Sequence, residues 1–361
     1  MNVDIFKEME DKNVEQIIFN YDKSTGLKSI IAINDTTIGP ALGGCRMWDY
    51  ENTDEALMDA IRLSVGMTYK CSIAGTNFGG GKTVIMGDPK TDKSETLFRA
   101  LGRFIQMLNG RYYTGTDVGT TGEDFVHASQ ESDYLVGLPT EYGGSGDTAI
   151  PTAYGIYMGI KAAAKISFGD DSLKDLTVAV QGAGKVGSFV VEHLLKEGAN
   201  ILICDVVEEN LKALTDKYPQ VKVVAPDAIY EQECDIFTPC ALGAIINDNT
   251  IPKLKCKIVA GSANNQLAES RHGKVLHDMG ILYAPDYVIN SGGLIQVADE
   301  LEMKNNNHDR VMAKTRKIYN ILLDIFEISR KNNIPTYEAA NKLAEDRIET
   351  IGQIKRKYVG Y

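Results

Sequence analysis

The sequence predicts an α/β protein of two domains, and three observations lead there. The chain has 361 residues, more than one hydrophobic core usually serves. From Leu176 onward, short strand-like segments alternate with helical ones, which means βαβ units and a mostly parallel sheet. The first of those strands runs through a glycine-spaced turn, Gly182-Ala183-Gly184-Lys185-Val186-Gly187, straight into a helix.

In the first part of the chain, residues 15–21 and 27–34 read as strands, with Ser24-Thr25-Gly26 as a hairpin-like turn. Thr53 is the expected N-cap of a helix whose buried face carries Ala56, Leu57, Ala60, Ile61 and the small Ser64. Residues 83–86 read as a short strand and 94–108 as a helix. Thr121, with Asp124 three residues on, resembles a capping pattern for a further short helix.

The rhythm changes near Pro151. Residues 153–166 form a helix rich in Ala and Gly, followed by a strand at 176–181, a helix at 185–195 and a strand at 200–204. Segments 208–217, 221–224, 235–238, 257–260 and 281–283 continue the alternation, and the chain is largely helical from Gly293. The expected division is 1–145 and 146–334, with a C-terminal helix in 335–361 returning to the first domain.

Hydrophobic and charged fractions, 43% and 24%, are ordinary for a globular protein. The formal net charge of −11 argues against nucleic acid and against an anionic membrane surface. No apolar run reaches bilayer length, and the N-terminus has neither the basic nor the apolar region of a signal peptide. Six cysteines show no C-x-x-C or zinc spacing and read as buried free thiols of a cytoplasmic protein. His272 and His277 are five apart, off the i, i+4 spacing of a zinc helix, so no metal site is expected.

The glycine turn has a specific chemistry. Gly182 permits the tight turn, Gly184 lets backbone approach a pyrophosphate, and Gly187 lets helix and strand pack closely. The helix N-terminus then offers free N–H groups to the phosphates. The next strand ends at Asp205, whose carboxylate suits both adenosine ribose hydroxyls and repels a 2′-phosphate. Val206 and Val207 follow, with no arginine, so NAD is expected over NADP.

Two lysines stand in the first half. Lys70 ends Met67-Thr68-Tyr69-Lys70, and Lys82 follows Gly79-Gly80-Gly81. The second is not a P-loop: its spacing requires Gly at 76, where Thr76 stands, and Thr83 onward reads as a strand. The glycines are read as bare backbone that leaves room for a small ligand beside a confined Lys82, where desolvation would make the amine usable as a base. Asp117, flanked by small residues in Thr114-Gly115-Thr116-Asp117-Val118-Gly119-Thr120, could trade protons with it. Residues 39–46, GPALGGCR, read as another exposed backbone stretch. Singly, each has a bland reading as solvated lysine, turn aspartate or turn glycine.

GPALGGCRM, MTYKCSIAG, FGGGKTVI, TGTDVGT, IPTAYG, QGAGKVG, CDIFTPCALG, GSANNQL and YAPDYVINSGGLIQVADEL stand in the order seen in the Glu/Leu/Phe/Val dehydrogenase family. The chain resembles that family from about residue 15 on. The resemblance implies a catalytic domain first and a Rossmann-type NAD-binding domain second, with the active site in the cleft between them. It implies that Lys70 pairs with the substrate carboxylate, with Gly43, Gly44 and Met67 beside it. Lys82 is similar to the lysine that activates water and polarises the imino or keto carbon, and Asp117 to the proton-transfer aspartate. Thr152, Asn264 and Asn265 resemble groups that hold nicotinamide and substrate. Ala183, Lys185, Val186, Val206, Cys240, Ala241 and Asn290 fall in the matching dinucleotide-binding stretches. NAD would take a hydride from the substrate Cα, water would add, and ammonia would leave.

The same resemblance speaks to substrate. Glutamate dehydrogenases place a lysine and a serine where this chain has Leu42 and Val297, so a γ-carboxylate would find no cation. Leucine dehydrogenases typically have Ala and Val where this chain has Gly115 and Leu294, and phenylalanine dehydrogenases resemble it in having Gly and Leu. The expected reaction therefore converts an apolar L-amino acid, phenylalanine before leucine, to its 2-oxo acid and ammonia. Relatives lead to the expectation of a homo-oligomer, octamer or dimer. A non-catalytic NAD-responsive binding protein is the alternative of another class; it would be expected to have lost Lys82 or Asp117, and both are present.

Overall fold

Residues 3–303 and 305–355 are described by the computed structural model. In chain order the first elements are α1 (Ile5–Lys12), β1 (Gln16–Tyr21), β2 (Lys28–Asp35), β3 (Ala41–Trp48), α2 (Thr53–Ile73), β4 (Gly79–Met86), α3 (Glu95–Gln106), β5 (Tyr112–Thr116) and α4 (Gly122–Ser129). Their five strands form one sheet in the order β1-β2-β4-β3-β5. β1 and β2 make an antiparallel hairpin, in whose turn the Asp22 carboxylate accepts the Thr25 N–H at 2.9 Å. β2 runs antiparallel to β4, whereas β3 runs parallel to both β4 and β5.

Helices cover both faces of this sheet. Ala56, Leu57, Ala60 and Ile61 of α2 pack on Ile30, Ala32 and Val84. Phe98, Leu101 and Ile105 of α3, with Phe125 of α4, pack on Ile31, Ile33, Met47 and Ile85. The alternation of buried residues along β2 and β4 between these two cores follows from the period-2 geometry of strands.

Local signals at helix ends differ by a residue from the sequence expectation. The N-cap of α2 is Asn52, whose side chain accepts the Glu55 N–H at 2.9 Å, and Thr53 is the first helical residue. Thr121 and Asp124 do form a capping box at α4. The larger difference lies in β3 and β4. Residues 39–46 read as exposed backbone and 79–81 as bare backbone, yet both stretches lie largely within buried strands. Their glycines hide the hydrophobic period that marks a strand.

The second set of elements is α5 (Ala149–Phe168), β6 (Thr177–Gln181), α6 (Lys185–Lys196), β7 (Asn200–Cys204), α7 (Glu208–Lys217), β8 (Lys222–Val223), β9 (Ile236–Pro239), β10 (Ile258–Val259), α8 (Ser270–Asp278), β11 (Leu282–Tyr283), α9 (Asp286–Ile289), α10 (Gly292–Met303), α11 (His308–Thr315), α12 (Ile318–Asn332) and α13 (Thr336–Lys355). Six parallel strands form a sheet in the order β11-β10-β9-β6-β7-β8. Counted within the sheet, and read from its β8 edge, this is the order 3-2-1-4-5-6 of dinucleotide-binding folds.

The chain divides into two units: Met1–Asp147 with Val297–Asn306 and Ala344–Tyr361, and Thr148–Gln296 with Asn307–Leu343. The sequence reading instead breaks at 145/146 and 334/335 and gives 297–306 to the second domain. No Gly or Pro marks positions 296–297, because α10 continues through them. From Ala344 on, α13 docks at the end of α2. Ser72 Oγ donates to Ala344 O at 2.8 Å, and Arg347 donates to Ser72 O and Thr76 O at 3.2 and 2.9 Å. The rest of the expected returning helix, 356–361, lies outside the described residues. Among the described residues no helix is long and apolar enough to cross a membrane. All six cysteines are free thiols; Cys45, Cys71, Cys204 and Cys256 are buried, while Cys234 and Cys240 are half-buried.

Candidate active site

Four ionisable residues of the first unit, Arg46, Asp59, Lys82 and Asp117, meet on the α2 side of its sheet. The register that pairs Leu42 with Gly80 and Cys45 with Thr83 sets Gly44 beside Lys82, and Gly44 also pairs with Gly115 of β5. Lys82, only 5% exposed, lies with its Nζ 2.7 Å from Asp117 Oδ2. A Cβ on Gly44 would come within 2.8 Å of Asp117 Cβ and 3.2 Å of Lys82 Nζ, so glycine there makes room for the pair.

Asp117 sits in a fixed loop. Its N–H donates to Thr120 Oγ1 at 3.0 Å, and that hydroxyl donates to Cys45 O at 2.9 Å. Arg46 Nε donates to the same Asp117 Oδ2 at 3.2 Å. Burial pulls the Asp117 carboxyl up, but the Lys82 ammonium and the Arg46 guanidinium outweigh it and hold it below its ordinary range. Arg46 is itself anchored: its Nη1 lies 3.0 Å from Asp59 Oδ2. Asp59 also accepts from Tyr50 Oη at 2.7 Å and from Arg62 Nη2 at 2.6 Å.

Gly79, Gly80 and Gly81 do not leave a vacancy for a small ligand, as their sequence context suggests. A Cβ on Gly79 would overlap Asp35 O, and one on Gly80 would overlap the Thr68 backbone of α2. One on Gly81 would come within 2.7 Å of the Tyr112 ring. Close packing of protein against protein uses the missing methyls. Gly43 is similar, since its Cβ would overlap Gly81 O and lie 3.4 Å from Met67 Cγ. Lys70 follows Met67 by three residues on α2, which puts it on the same flank of the helix, half-buried.

Of the side-chain positions, Leu42 is buried and faces the same way as Gly44. A Cβ on Gly115 would meet Val136 O at 3.0 Å and Val136 Cγ2 at 3.2 Å. Its neighbour Gly137 approaches Val297, with a Cβ there 3.9 Å from Val297 Cγ2. Val136, which packs beside Gly115, is a residue that sequence reasoning missed. It also missed the Arg46–Asp59–Tyr50 chain: Arg46 stands inside GGCRM, but no spacing rule links residues 46, 59 and 117.

The second unit holds the remaining positions. Gly182 has φ +109°, and a Cβ there would come within 2.9 Å of Cys240 C and 3.0 Å of Ala241, so the turn and the segment after β9 need glycine. A Cβ on Gly187 would overlap Gly182 O, drawing α6 onto the turn. Gly184 differs: nothing lies within 4 Å of its Cβ position. It is the N-cap of α6 with no side-chain cap, so the helix N-terminus meets this open face. Such a cradle fits a dinucleotide pyrophosphate. Ala183 N–H donates to Asp205 Oδ2 at 2.6 Å, and Val207 N–H to Asp205 Oδ1 at 2.8 Å, placing the carboxylate beside the turn. Lys185 and Val206 are exposed and Val186 half-buried around it.

Asn290 Nδ2 donates to Asn264 Oδ1 at 2.7 Å and to Ser262 O at 3.0 Å, and Asn265 adopts φ +52°. Thr152 Oγ1 donates to Thr148 O at 2.8 Å and lies over Gly293, next to the half-buried Leu294. Among the described residues one group has metal-type donors, Asp248, Glu269 and His272. The Arg271 guanidinium spans it, 2.8 Å from Asp248 Oδ1 and 2.9 Å from Glu269 Oε2, and serves as its cation.

Residues 12–138 match the Glu/Leu/Phe/Val dehydrogenase dimerisation domain, and residues 143–206 and 203–353 match the Glutamate/Leucine/Phenylalanine/Valine dehydrogenase family. The chain is 54% identical to a leucine dehydrogenase of Geobacillus stearothermophilus over 99% of this chain and 96% of that one. It is also 54% identical to a phenylalanine dehydrogenase of Lysinibacillus sphaericus, over 96% and 91%. Among solved structures it is similar to an L-tryptophan dehydrogenase from Nostoc punctiforme, with TM-score 0.85, 42% identity, and coverage of 98% of this chain and 100% of that one. The fold, the paired Lys and Asp and these matches define an amino-acid dehydrogenase that depends on a nicotinamide dinucleotide. The chain belongs to the Glu/Leu/Phe/Val dehydrogenase family.

Proposed function

We propose that the protein catalyses the reversible oxidative deamination of an apolar L-amino acid with NAD, and that phenylalanine is its best substrate. The reaction is L-phenylalanine + H2O + NAD+ to phenylpyruvate + NH4+ + NADH + H+. The observation that carries this reading is the buried Lys82–Asp117 ion pair at 2.7 Å, on the same sheet face as Leu42 and Gly115.

In this reading Lys70 binds the substrate carboxylate and the ionised Asp117 takes a proton from the α-amino group. Lys82 and Asp117 then take a proton from the attacking water and return one to the departing ammonia. A bound nicotinamide supplies the hydride acceptor. Gly184, the N-terminus of α6 and Asp205 would hold the dinucleotide, and the carboxylate at 205 favours NAD over NADP. Thr152, Asn264 and Asn290 would position its reactive end.

Leu42 and Val297 offer no cation to a second carboxylate, which disfavours glutamate. What supports an aromatic ring is that Gly115 and Leu294 stand where phenylalanine dehydrogenases resemble this chain in having Gly and Leu. Leucine is the second reading, favoured by the equal identity to leucine and phenylalanine dehydrogenases. The assay is NADH absorbance at alkaline pH with a panel of L-amino acids and NAD or NADP. Highest kcat/KM for phenylalanine with NAD supports the proposal; highest for leucine selects the second reading, and no turnover with any amino acid contradicts both. The matched dimerisation domain supports a homo-oligomer, which light scattering would size.

A further inference from the structure

We propose that Arg46 is a positioning residue for the deamination step: tethered by Asp59, it holds the Asp117 carboxylate in place against Lys82. This rests on the assignment of Asp117 and Lys82 as the proton-transfer pair. Two cations converge on one oxygen, Asp117 Oδ2, with Lys82 Nζ at 2.7 Å and Arg46 Nε at 3.2 Å. They arrive from different strands, β4 and β3, so the carboxylate is gripped from two directions.

Arg46 cannot swing away freely, because Asp59 of α2 holds its other arm at 3.0 Å. Asp59 is in turn fixed by Tyr50 and Arg62, at 2.7 and 2.6 Å. A planar guanidinium with several fixed donors can bridge two carboxylates in this way, which a lysine ammonium on a flexible stem does poorly. The side chains of Arg46, Asp59 and Asp117 are each about four-fifths buried or more, at 18, 15 and 21% exposed, so solvent screens the chain only partly.

The titratable and charged groups facing Asp117 are few. Among the described residues Lys82 comes from β4 and Arg46 from β3, with Asp59 of α2 and Tyr50 behind Arg46, while the Cys45 thiol and the Tyr112 phenol belong to the core on the other face of the sheet. The two cations next to the carboxylate both favour its ionised form, the form able to accept a proton. Removing Arg46 removes one of them and loosens the other's partner.

The test compares Arg46→Gln and Arg46→Lys with the wild-type enzyme, reading the pH profile of kcat, KM and dinucleotide binding. For Arg46→Gln, kcat should fall on the order of 10²-fold, the scale of misplacing a catalytic group by about 1 Å. Its acid limb should move to higher pH, because the carboxyl loses a cation and must lose its proton at a higher pH than before. Dinucleotide binding should stay unchanged, which also reports a folded protein. Arg46→Lys keeps the charge and should hold the limb nearer the wild-type position while still lowering kcat. Should Arg46→Gln fail to fold, Arg46→Lys decides alone: wild-type kcat overturns the proposal and a several-fold loss with the limb retained supports it. A folded Arg46→Gln enzyme with an unmoved acid limb also overturns it. If instead Lys82→Ala and Asp117→Asn keep wild-type turnover, the underlying assignment fails, whatever Arg46 does.

Discussion

Two glycine-rich stretches, 79–81 and 182–187, look alike in sequence and do different things. The first is the start of β4, and protein fills the place of each missing methyl: Asp35 backbone, the α2 backbone at Thr68, and the Tyr112 ring. The second contains Gly184, whose open side meets no atom within 4 Å, at the uncapped start of α6. The one stretch brings a helix and a neighbouring ring close enough to bury Lys82. The other leaves open surface at Gly184. A glycine in sequence says that a Cβ is absent, not whether protein or ligand occupies the space.

Alanine at one position in each stretch should separate these roles. Gly80→Ala forces a methyl into the Thr68 backbone and should cost about 3 kcal/mol of stability, the upper range of overpacking, read as a lower Tm or denaturant midpoint. Gly184→Ala has φ −66° and open space, so stability should stay within about 0.5 kcal/mol while NAD binding weakens at least about tenfold. A stable Gly80→Ala protein, or a Gly184→Ala protein with intact NAD affinity, would break the distinction.

The dinucleotide half can be sharpened further at Asp205. Asp205→Ser with Val206→Arg removes the ribose carboxylate and adds a partner for a 2′-phosphate. The ratio of kcat/KM for NAD over NADP should fall by about tenfold or more, equivalent to about 1.4 kcal/mol. An unmoved ratio would place the ribose elsewhere.

A further change concerns the amino-acid side chain. Gly115→Ala with Leu294→Val should lower kcat/KM for phenylalanine and hold or raise that for leucine, by about 1–3 kcal/mol in the ratio. Because the added methyl would lie 3.0 Å from Val136 O, part of this effect should pass through Val136. A parallel fall for both substrates would mean that these positions support packing and do not choose the ring.

How much of this was legible before the structure depended on what each feature is made of. The β6–α6–β7 unit was readable because an apolar run, spaced glycines and a terminal aspartate occur close together in the chain. β3 and the first half of β4 were not, since glycines carry no hydrophobic period and their packing partners come from α2 and β5. Lys82 and Asp117 could be picked out by their small neighbours and by family resemblance. The Arg46–Asp59 tether could not, because its members are 13 residues apart on a strand and a helix and 58 or more from Asp117. The division inside α10 is invisible for a related reason: a continuous helix carries no sequence signal where its surroundings change.

The central claim is that Lys82 performs chemistry on the amino acid while the dinucleotide is held elsewhere. Its most direct test is Lys82→Ala, assayed for NADH formation from L-phenylalanine and for NAD binding by fluorescence. Loss of turnover by at least about 10²-fold, the low end for removing a proton-transfer group, with NAD affinity and the unfolding transition retained, is the predicted result. Turnover near the wild-type level in that variant would contradict it.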